Sequence, residues 1–269
     1  MADIKQWQMS DNAAEYYEQI AARYIIGPWA TNLIDASDLQ EDEKVLDLAC
    51  GTGLVSRAAA KRLGPSGHIS ALDLNSGMLK VAARIGVAGP CKVEWMEGSA
   101  LDLPIEDGTV DVVLCQQGLQ FFPDQPLALS ECWRVLRDGG RTCFSIWAGA
   151  GPYNEAVSHA VSLHIDDNTA RQYQTTRDVP DAESLRQLFE NAGFKSVKVT
   201  REELFVRLPE IEKFVISHLL GTPISTALQT LSEKDQKQLA KDVALHVKAF
   251  ADGNDVVVPD RINLVRATK

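Results

Sequence analysis

The chain reads as an α/β protein built on a mostly parallel sheet with a helical cap, and three observations carry that reading. Val45, Leu46 and Leu48 make the near-continuous apolar run of a strand covered on both faces. Across a glycine turn, Leu54, Val55, Ala58, Ala59 and Leu63 follow at helical spacing. Strand-like and helix-like stretches then alternate as far as Trp147, which implies parallel pairing through right-handed crossovers.

The elements can be justified in order. From Asp11 to Ala36 the spacing is helical, with Tyr16, Tyr17, Tyr24 and Trp29 along it and a break expected at Gly27-Pro28. Residues 1–40 would form an N-terminal helical cap segment. VLDLACGTG joins the first strand to the first core helix, and HISALDLN is a second strand ending at Asp73. A short helix over Ser76 to Arg84 precedes the strands KVEWME and TVDVVLCQQ. A helix from Pro126 to Leu136 is expected to stop at Asp138-Gly139-Gly140, where glycine supplies the left-handed turn, before the strand RTCFSIWA. Tyr153 to Ile165 and Asp181 to Ala192 read as helices separated by a polar, aperiodic stretch. FKSVKVTREELFVRL and VVVPDRINLVRATK are the last two strands. The core would span 41–208 and 253–269, and the mostly helical insertion 209–252 would hang as a lid over the carboxyl ends of the strands, where open α/β sheets bind ligands.

Composition narrows the function. The chain has 269 residues, 45% of them hydrophobic, and a formal charge of -10. That balance leaves no broad basic surface for phosphates and points away from nucleic acid towards a small-molecule acceptor. Cys50, Cys91, Cys115, Cys132 and Cys143 are scattered with no paired or zinc-like spacing, so no metal is expected. The first residues are polar, and no apolar run approaches the roughly twenty residues that span a bilayer. A cytoplasmic protein is the expectation; the oligomeric state stays open, a homodimer being one option.

The densest signal is Val45 to Gly53. Gly51 and Gly53 stand at a strand-to-helix turn, where a missing side chain lets a ligand approach the main chain, and Asp47 brings an acceptor to the same spot. Asp73, roughly twenty residues further on, can accept hydrogen bonds from both hydroxyls of a ribose. A dinucleotide site would need a third glycine at Ser56 to cradle its pyrophosphate, and the chain reads GTGLVS there.

VLDLACGTG, ALDLNSGML, EGSALDLP, VDVVLCQQGLQFFPD and VLRDGGR, in that order, resemble the motifs of the ubiquinone/menaquinone-type branch (methyltransferase type 11) of class I S-adenosylmethionine-dependent methyltransferases. The resemblance covers Glu43 to Trp147. It implies a Rossmann-like, seven-stranded sheet of order 3-2-1-4-5-7-6 and S-adenosyl-L-methionine as cofactor. It places Asp47, Cys50, Gly51, Gly53 and Gln116 around the methionine moiety, Asp73 on the ribose, and Leu74 and Met78 on the adenine. Ser99 and Ala100 match the adenine edge, where the family carries an acid followed by a small residue; serine removes the charge. Gln117, Phe121, Tyr24 and Trp29 would face the acceptor. The chain lacks the Asn/Asp-Pro-Pro-aromatic motif of amine-methylating DNA enzymes, and the expected cap with its aromatic residues favours O- or C-methylation of a quinone-like, polyketide-like or other secondary metabolite. A non-catalytic S-adenosylmethionine-binding regulatory protein is the rival from another class, and an NAD-dependent oxidoreductase the third reading. A general base, if one is used, would come from His159, His164 or His218, and the sequence singles out none of them.

Overall fold

The computed structural model describes residues 11–269. The first ten residues of the expected cap segment lie outside the described residues. Five parallel strands, β1 (Lys44–Leu48), β2 (His68–Asp73), β3 (Lys92–Glu97), β4 (Val110–Gln116) and β5 (Leu136–Trp147), form most of the sheet. The order along it is β3-β2-β1-β4-β5-β8-β6, with β8 (Asp255–Thr268) antiparallel between β5 and β6 (Lys195–Leu208). That is the expected 3-2-1-4-5-7-6 arrangement, with one addition. The two-residue strand β7 (Ala251–Asp252) pairs with the start of β8; two residues carry no alternation a sequence could reveal.

Alternate residues of the central strands face opposite cores. Val45, Val112, Leu114 and Cys143 join the apolar cluster built around Trp29 and Leu33. Their chain neighbours Leu46, Val113, Cys115 and Phe144 join the one around Leu129 and Phe189. Burial on both faces is why these strands read as continuous apolar runs. The order reverses at β1, whose neighbours are β2 and β4, so their carboxyl ends open a crevice there.

Two local expectations are corrected. The N-terminal segment does not break at Gly27-Pro28: α1 (Asp11–Tyr16) runs into a π-helix (Tyr17–Ile26) and then into α2 (Gly27–Ser37). In the wider register Gly27 N–H donates to the Ala22 carbonyl, and Pro28, which has no N–H to offer, falls in the first turn of α2 where none is needed. Only glycine fits at this joint, since a Cβ on Gly27 would lie 2.5 Å from the Ala22 oxygen. Asp138-Gly139-Gly140 is also not a helix stop. The helix α5 (Gln125–Val135) already ends at Val135, and β5 begins at once. Pairing jumps from Val110↔Leu136 to Val112↔Arg141, so the glycines form a bulge in which Gly139 takes φ 73°.

β6 and β8 continue past the last β5 pair, Trp147↔Ile262, as a two-stranded arm reaching Leu208↔Val256. Pro259 is tolerated because it lies on this arm, opposite Phe205, beyond the reach of β5. Helices α3 (Leu54–Ala59), α4 (Ser76–Ile85), α6 (Pro152–His164), α7 (Asp167–Gln174) and α8 (Ala182–Asn191) complete the core. The stretch expected to be aperiodic thus contains α7, capped by Asp166 accepting from Thr169 N–H at 2.7 Å. Residues 209–252 carry α9 (Ile211–Leu220), α10 (Ser225–Gln229) and α11 (Glu233–His246). α9 packs on the π-helix and α11 on α6. The approach at the first contact is close enough that a Cβ on Gly221 would stand 2.8 Å from the Tyr17 nitrogen. Among the described residues no helix is long and apolar enough to cross a membrane.

Candidate active site

The crevice is made by backbone held in unusual conformations. Ala49, Gly51 and Gly53 have φ of 55°, 53° and 82°, and Gln117, at the end of β4, has φ 55°. Left-handed backbone at a non-glycine residue is costly and collects at ligand sites. The two glycines do different work. Gly53 caps α3 and would drive a Cβ to 2.6 Å from the Trp95 ring, so its bareness serves packing. Gly51 has only Tyr17 near it, at 3.8 Å.

Asp73 closes the far side. Its Oδ2 accepts from Gly51 N–H at 2.7 Å and its Oδ1 from Asn75 N–H at 2.8 Å, which ties the end of β2 to the glycine turn. Burial pushes its carboxyl up, against those same hydrogen bonds. Asp47 is almost wholly buried; its Oδ2 accepts from Ser56 Oγ at 2.6 Å. Burial raises its carboxyl to about 7, with the Ser56 hydroxyl pulling the other way and Asp73 adding to the rise.

Among the described residues, Asp47 Oδ1, Gln116 Oε1 and Gln117 Oε1 are buried with no hydrogen-bond partner. Buried acceptors without donors are uncommon and call for an explanation. All three stand at the carboxyl ends of β1 and β4, and a cationic ammonium beside them would supply donors and charge together. This set of acceptors fits the methionine end of S-adenosylmethionine, and Asp73 fits its ribose.

The N-terminal segment lies across this crevice. Tyr17 faces Gly51, and burial together with the Asp73 and Glu18 carboxylates pushes its phenol well above the usual range. Glu18 accepts from Thr52 Oγ1 and, at 2.7 Å, from Arg57 Nη2, while Arg57 Nη1 donates to the Thr52 carbonyl at 2.6 Å. At the other end of the π-helix, Gln116 Nε2 donates to the Ile26 carbonyl at 2.9 Å. The sequence reading named Tyr17 among the aromatics of the expected cap but gave it no ligand role, and it passed over Glu18; an acid facing Arg57 across 39 positions leaves no local signal.

The remaining expected positions fall as follows. Cys50 is buried beside the turn, and burial pushes its thiol up. Met78 is buried and Leu74 exposed. Ser99 Oγ accepts from Leu101 N–H at 3.1 Å, within a tight turn that Asp102 closes by donating its N–H to the Ser99 carbonyl; Ala100 is partly buried in the same turn. Gln117 Nε2 donates to Ser145 Oγ at 3.0 Å. Phe121 lies in the short helix after β4, half-buried. Trp29 is fully buried, its Nε1 without a partner among the described residues. Tyr24 meets Phe214 of α9 edge to face at 5.8 Å.

The three histidines separate clearly. His159 is exposed, its ring 4.6 Å from that of His246. His164 pairs with Asp242 of α11 at 2.6 Å. His218 of α9 is buried, with Nδ1 2.9 Å from the Tyr153 hydroxyl. Burial first, and the Arg177 charge second, lower its imidazole to about 3, so it is neutral. Around it gather polar groups that the sequence reading passed over. Arg177 is paired with Asp260 at 2.7 Å and lies 3.5 Å above the Trp147 ring, and Asn154 Nδ2 donates to the Tyr173 hydroxyl at 3.1 Å. The available signal was an acid inside the apolar run VVVPDRINLV.

Residues 15–204 match the model of the ubiE/COQ5 methyltransferase family. The chain belongs to that family. As a ubiE/COQ5-type protein it is an S-adenosylmethionine-dependent methyltransferase, as its motifs imply. It is 31% identical over 217 residues to the ubiquinone/menaquinone biosynthesis C-methyltransferase UbiE of Cronobacter sakazakii, covering 71% of this chain and 85% of that relative. It is 33% identical over 170 residues to a demethylmenaquinone methyltransferase of Lactococcus lactis, covering 57% and 66%. Among solved structures, the YcgJ protein of Bacillus subtilis shares the fold at TM-score 0.59 and 16% identity, over 89% of this chain and 97% of that one. A phosphoethanolamine N-methyltransferase of Haemonchus contortus, solved with S-adenosyl-L-methionine, does so at TM-score 0.62 and 18% identity, over 99% and 59%.

Proposed function

We propose that this ubiE/COQ5-type enzyme methylates a ring carbon of a reduced, hydroxylated quinone-like acceptor, in the cytoplasm and without nucleic acid as substrate. The observation that carries the reading is the shell beside the crevice. Phe214 meets Tyr24 on one side and Tyr153 on the other, edge to face and at 5.8 Å from each, and Trp147 stands at the end of the neighbouring strand. Such ring edges suit a flat aromatic guest. The relatives named as quinone C-methyltransferases support the same acceptor class.

S-adenosylmethionine, when bound, supplies a methyl group on a sulfonium that is already a good leaving group. The chain therefore has to align and dry the site more than it has to activate the donor, and alignment alone can lower the barrier by roughly 7–11 kcal/mol. Asp47, Gln116 and Gln117 would hold the methionine end, and Asp73 the ribose. Tyr17 and the helices of 209–252 would exclude water from above, acting as cap and lid. An oxidised quinone ring is electron-poor, and only its reduced form, with a ring hydroxyl able to release electrons to the neighbouring carbon, can serve as nucleophile.

The test is anaerobic incubation of the protein with naphthohydroquinone and labelled cofactor, followed by mass spectrometry. A product carrying one added methyl on ring carbon is expected. Methylation confined to amines, or tight cofactor binding with no turnover on any hydroxylated ring, would contradict the reading.

A further inference from the structure

We infer that the Tyr17 hydroxyl donates a hydrogen bond to the carboxylate of the cofactor's methionine end, so that the N-terminal cap closes on that amino-acid group. The methionine end is a zwitterion. Its ammonium brings three N–H donors, and Asp47 Oδ1, Gln116 Oε1 and Gln117 Oε1 are buried acceptors without partners among the described residues. Its carboxylate needs donors of its own, since an unpaired charge in a closed crevice is costly.

Most donors close to those acceptors are already taken. Gly51 N–H is held by Asp73 at 2.7 Å and Gly53 N–H by the Cys50 carbonyl at 2.9 Å. Ser56 Oγ donates to Asp47, Thr52 Oγ1 to Glu18, and Arg57 to Glu18 and the Thr52 carbonyl. The amide nitrogens of Gln116 and Gln117 donate to the Ile26 carbonyl and to Ser145 Oγ. Tyr17 is different. Its hydroxyl makes no hydrogen bond among the described residues, and it stands 3.8 Å from the point that a Cβ on Gly51 would occupy. Its ring packs on Ala14 of α1 and on Met78 and Val81 of α4, so the hydroxyl is held above the glycine turn. Burial, with the Asp73 and Glu18 carboxylates beside it, keeps the phenol protonated and hence a donor. The Arg57 charge acts on Tyr17 and Asp47 alike, so an anion placed there meets the field of a cation as well as an O–H group.

The grip extends along the cap. A carbonyl can only accept, so the bond from Gln116 Nε2 to the Ile26 carbonyl fixes the Gln116 amide and leaves Oε1 for the ammonium. The π-helix thus carries Tyr17 at its first residue and, at its last, the carbonyl that orients Gln116. One element reads both charges of the amino-acid group, and a ligand without them gives the cap nothing to close on.

Calorimetric titration of wild type and Tyr17→Phe with a set of ligands tests this. The set is S-adenosylhomocysteine, its deaminated analogue, which keeps the carboxylate, its decarboxylated analogue, which keeps the ammonium, and methylthioadenosine, which has neither. Tyr17→Phe is expected to weaken the two carboxylate-bearing ligands by about 10- to 100-fold and to leave the other two unchanged. Hydrogen exchange gives a second readout. In wild type, the deaminated analogue at saturation should slow exchange across Tyr17–Ile26 more than methylthioadenosine does, and in Tyr17→Phe the two should protect alike. Equal weakening of every ligand would make Tyr17 a packing residue and overturn its role at the carboxylate, as would unchanged affinity for both carboxylate-bearing ligands. Neither measurement includes an acceptor, so the acceptor reading stands or falls separately.

Discussion

Asp47 carries its proton up to a pH of about 7 because burial disfavours its charge. A cationic ammonium placed against it would favour the ionised form, so binding would release that proton. Affinity for S-adenosylhomocysteine is expected to be flat above pH 7 and to weaken by about tenfold per pH unit below it, and Asp47→Asn should abolish the dependence. A flat calorimetric profile in wild type would remove Asp47 from the ligand. The same shift bears on stability, with a sign opposite to that of His218. Native Asp47 holds a proton that the unfolded chain gives up above 3.8, so its contribution falls as pH rises from there to about 7. Native His218 refuses a proton that the unfolded chain binds below 6.5, so its contribution is complete above 6.5 and is lost as pH falls towards 3. Between about 4 and 6.5 the two slopes oppose. Urea unfolding of Asp47→Asn should show stability rising with pH in that window, relative to wild type, and His218→Gln should show it falling. Asp47 and Asp73 were legible in the sequence because strand, glycine turn and helix are local. Tyr17, Glu18, Arg177 and Asp260 acquire meaning only when segments far apart in the chain meet.

At the scale of the element, the N-terminal helix departs furthest from its sequence. Gly-Pro signals a break only while the α register is assumed, and a π-helix of ten residues shifts the pattern so that the proline falls where it does no harm. Alanine in place of a helical glycine normally adds close to 1 kcal/mol of stability. Gly27→Ala should instead cost about 1–3 kcal/mol, because its methyl would meet the Ala22 carbonyl. Thermal unfolding checks the sign, and a stabilised variant would mean that the joint is not as tight as described. The Glu18 contacts with Thr52 and Arg57 hold this element over the crevice. Glu18→Gln is expected to raise the dissociation rate of S-adenosylhomocysteine several-fold in stopped-flow displacement. An unchanged rate would deny the segment its role as a cap. The bulge at Asp138-Gly139-Gly140 teaches a related lesson. Glycine at positive φ marks a helix stop or a strand bulge equally well, and the choice is made by Val110 and Val112 pairing on either side of it.

Across the whole molecule, the parallel pairing and the two-faced core were legible because each depends on a pattern repeated along the chain, whereas the strand order followed from the resemblance of the motifs to the methyltransferase family. Apolar runs beside glycine turns recur in β1, β2, β4 and β5, and right-handed crossovers leave few ways to connect them. The arm of β6 and β8 and the docking of α9 on the π-helix were not, since both depend on tertiary contact and on Gly221 allowing the chains to approach. Cap and sheet meet at the crevice, so the account of the whole enzyme depends on that crevice holding S-adenosylmethionine. Calorimetric titration of wild type and Asp73→Ala with S-adenosylhomocysteine tests this most directly. The account predicts saturable binding at one site per chain, weakened on the order of 100-fold or more in Asp73→Ala through loss of charge-assisted hydrogen bonds. Absence of binding to wild type, or equal affinity in the two proteins, would contradict it.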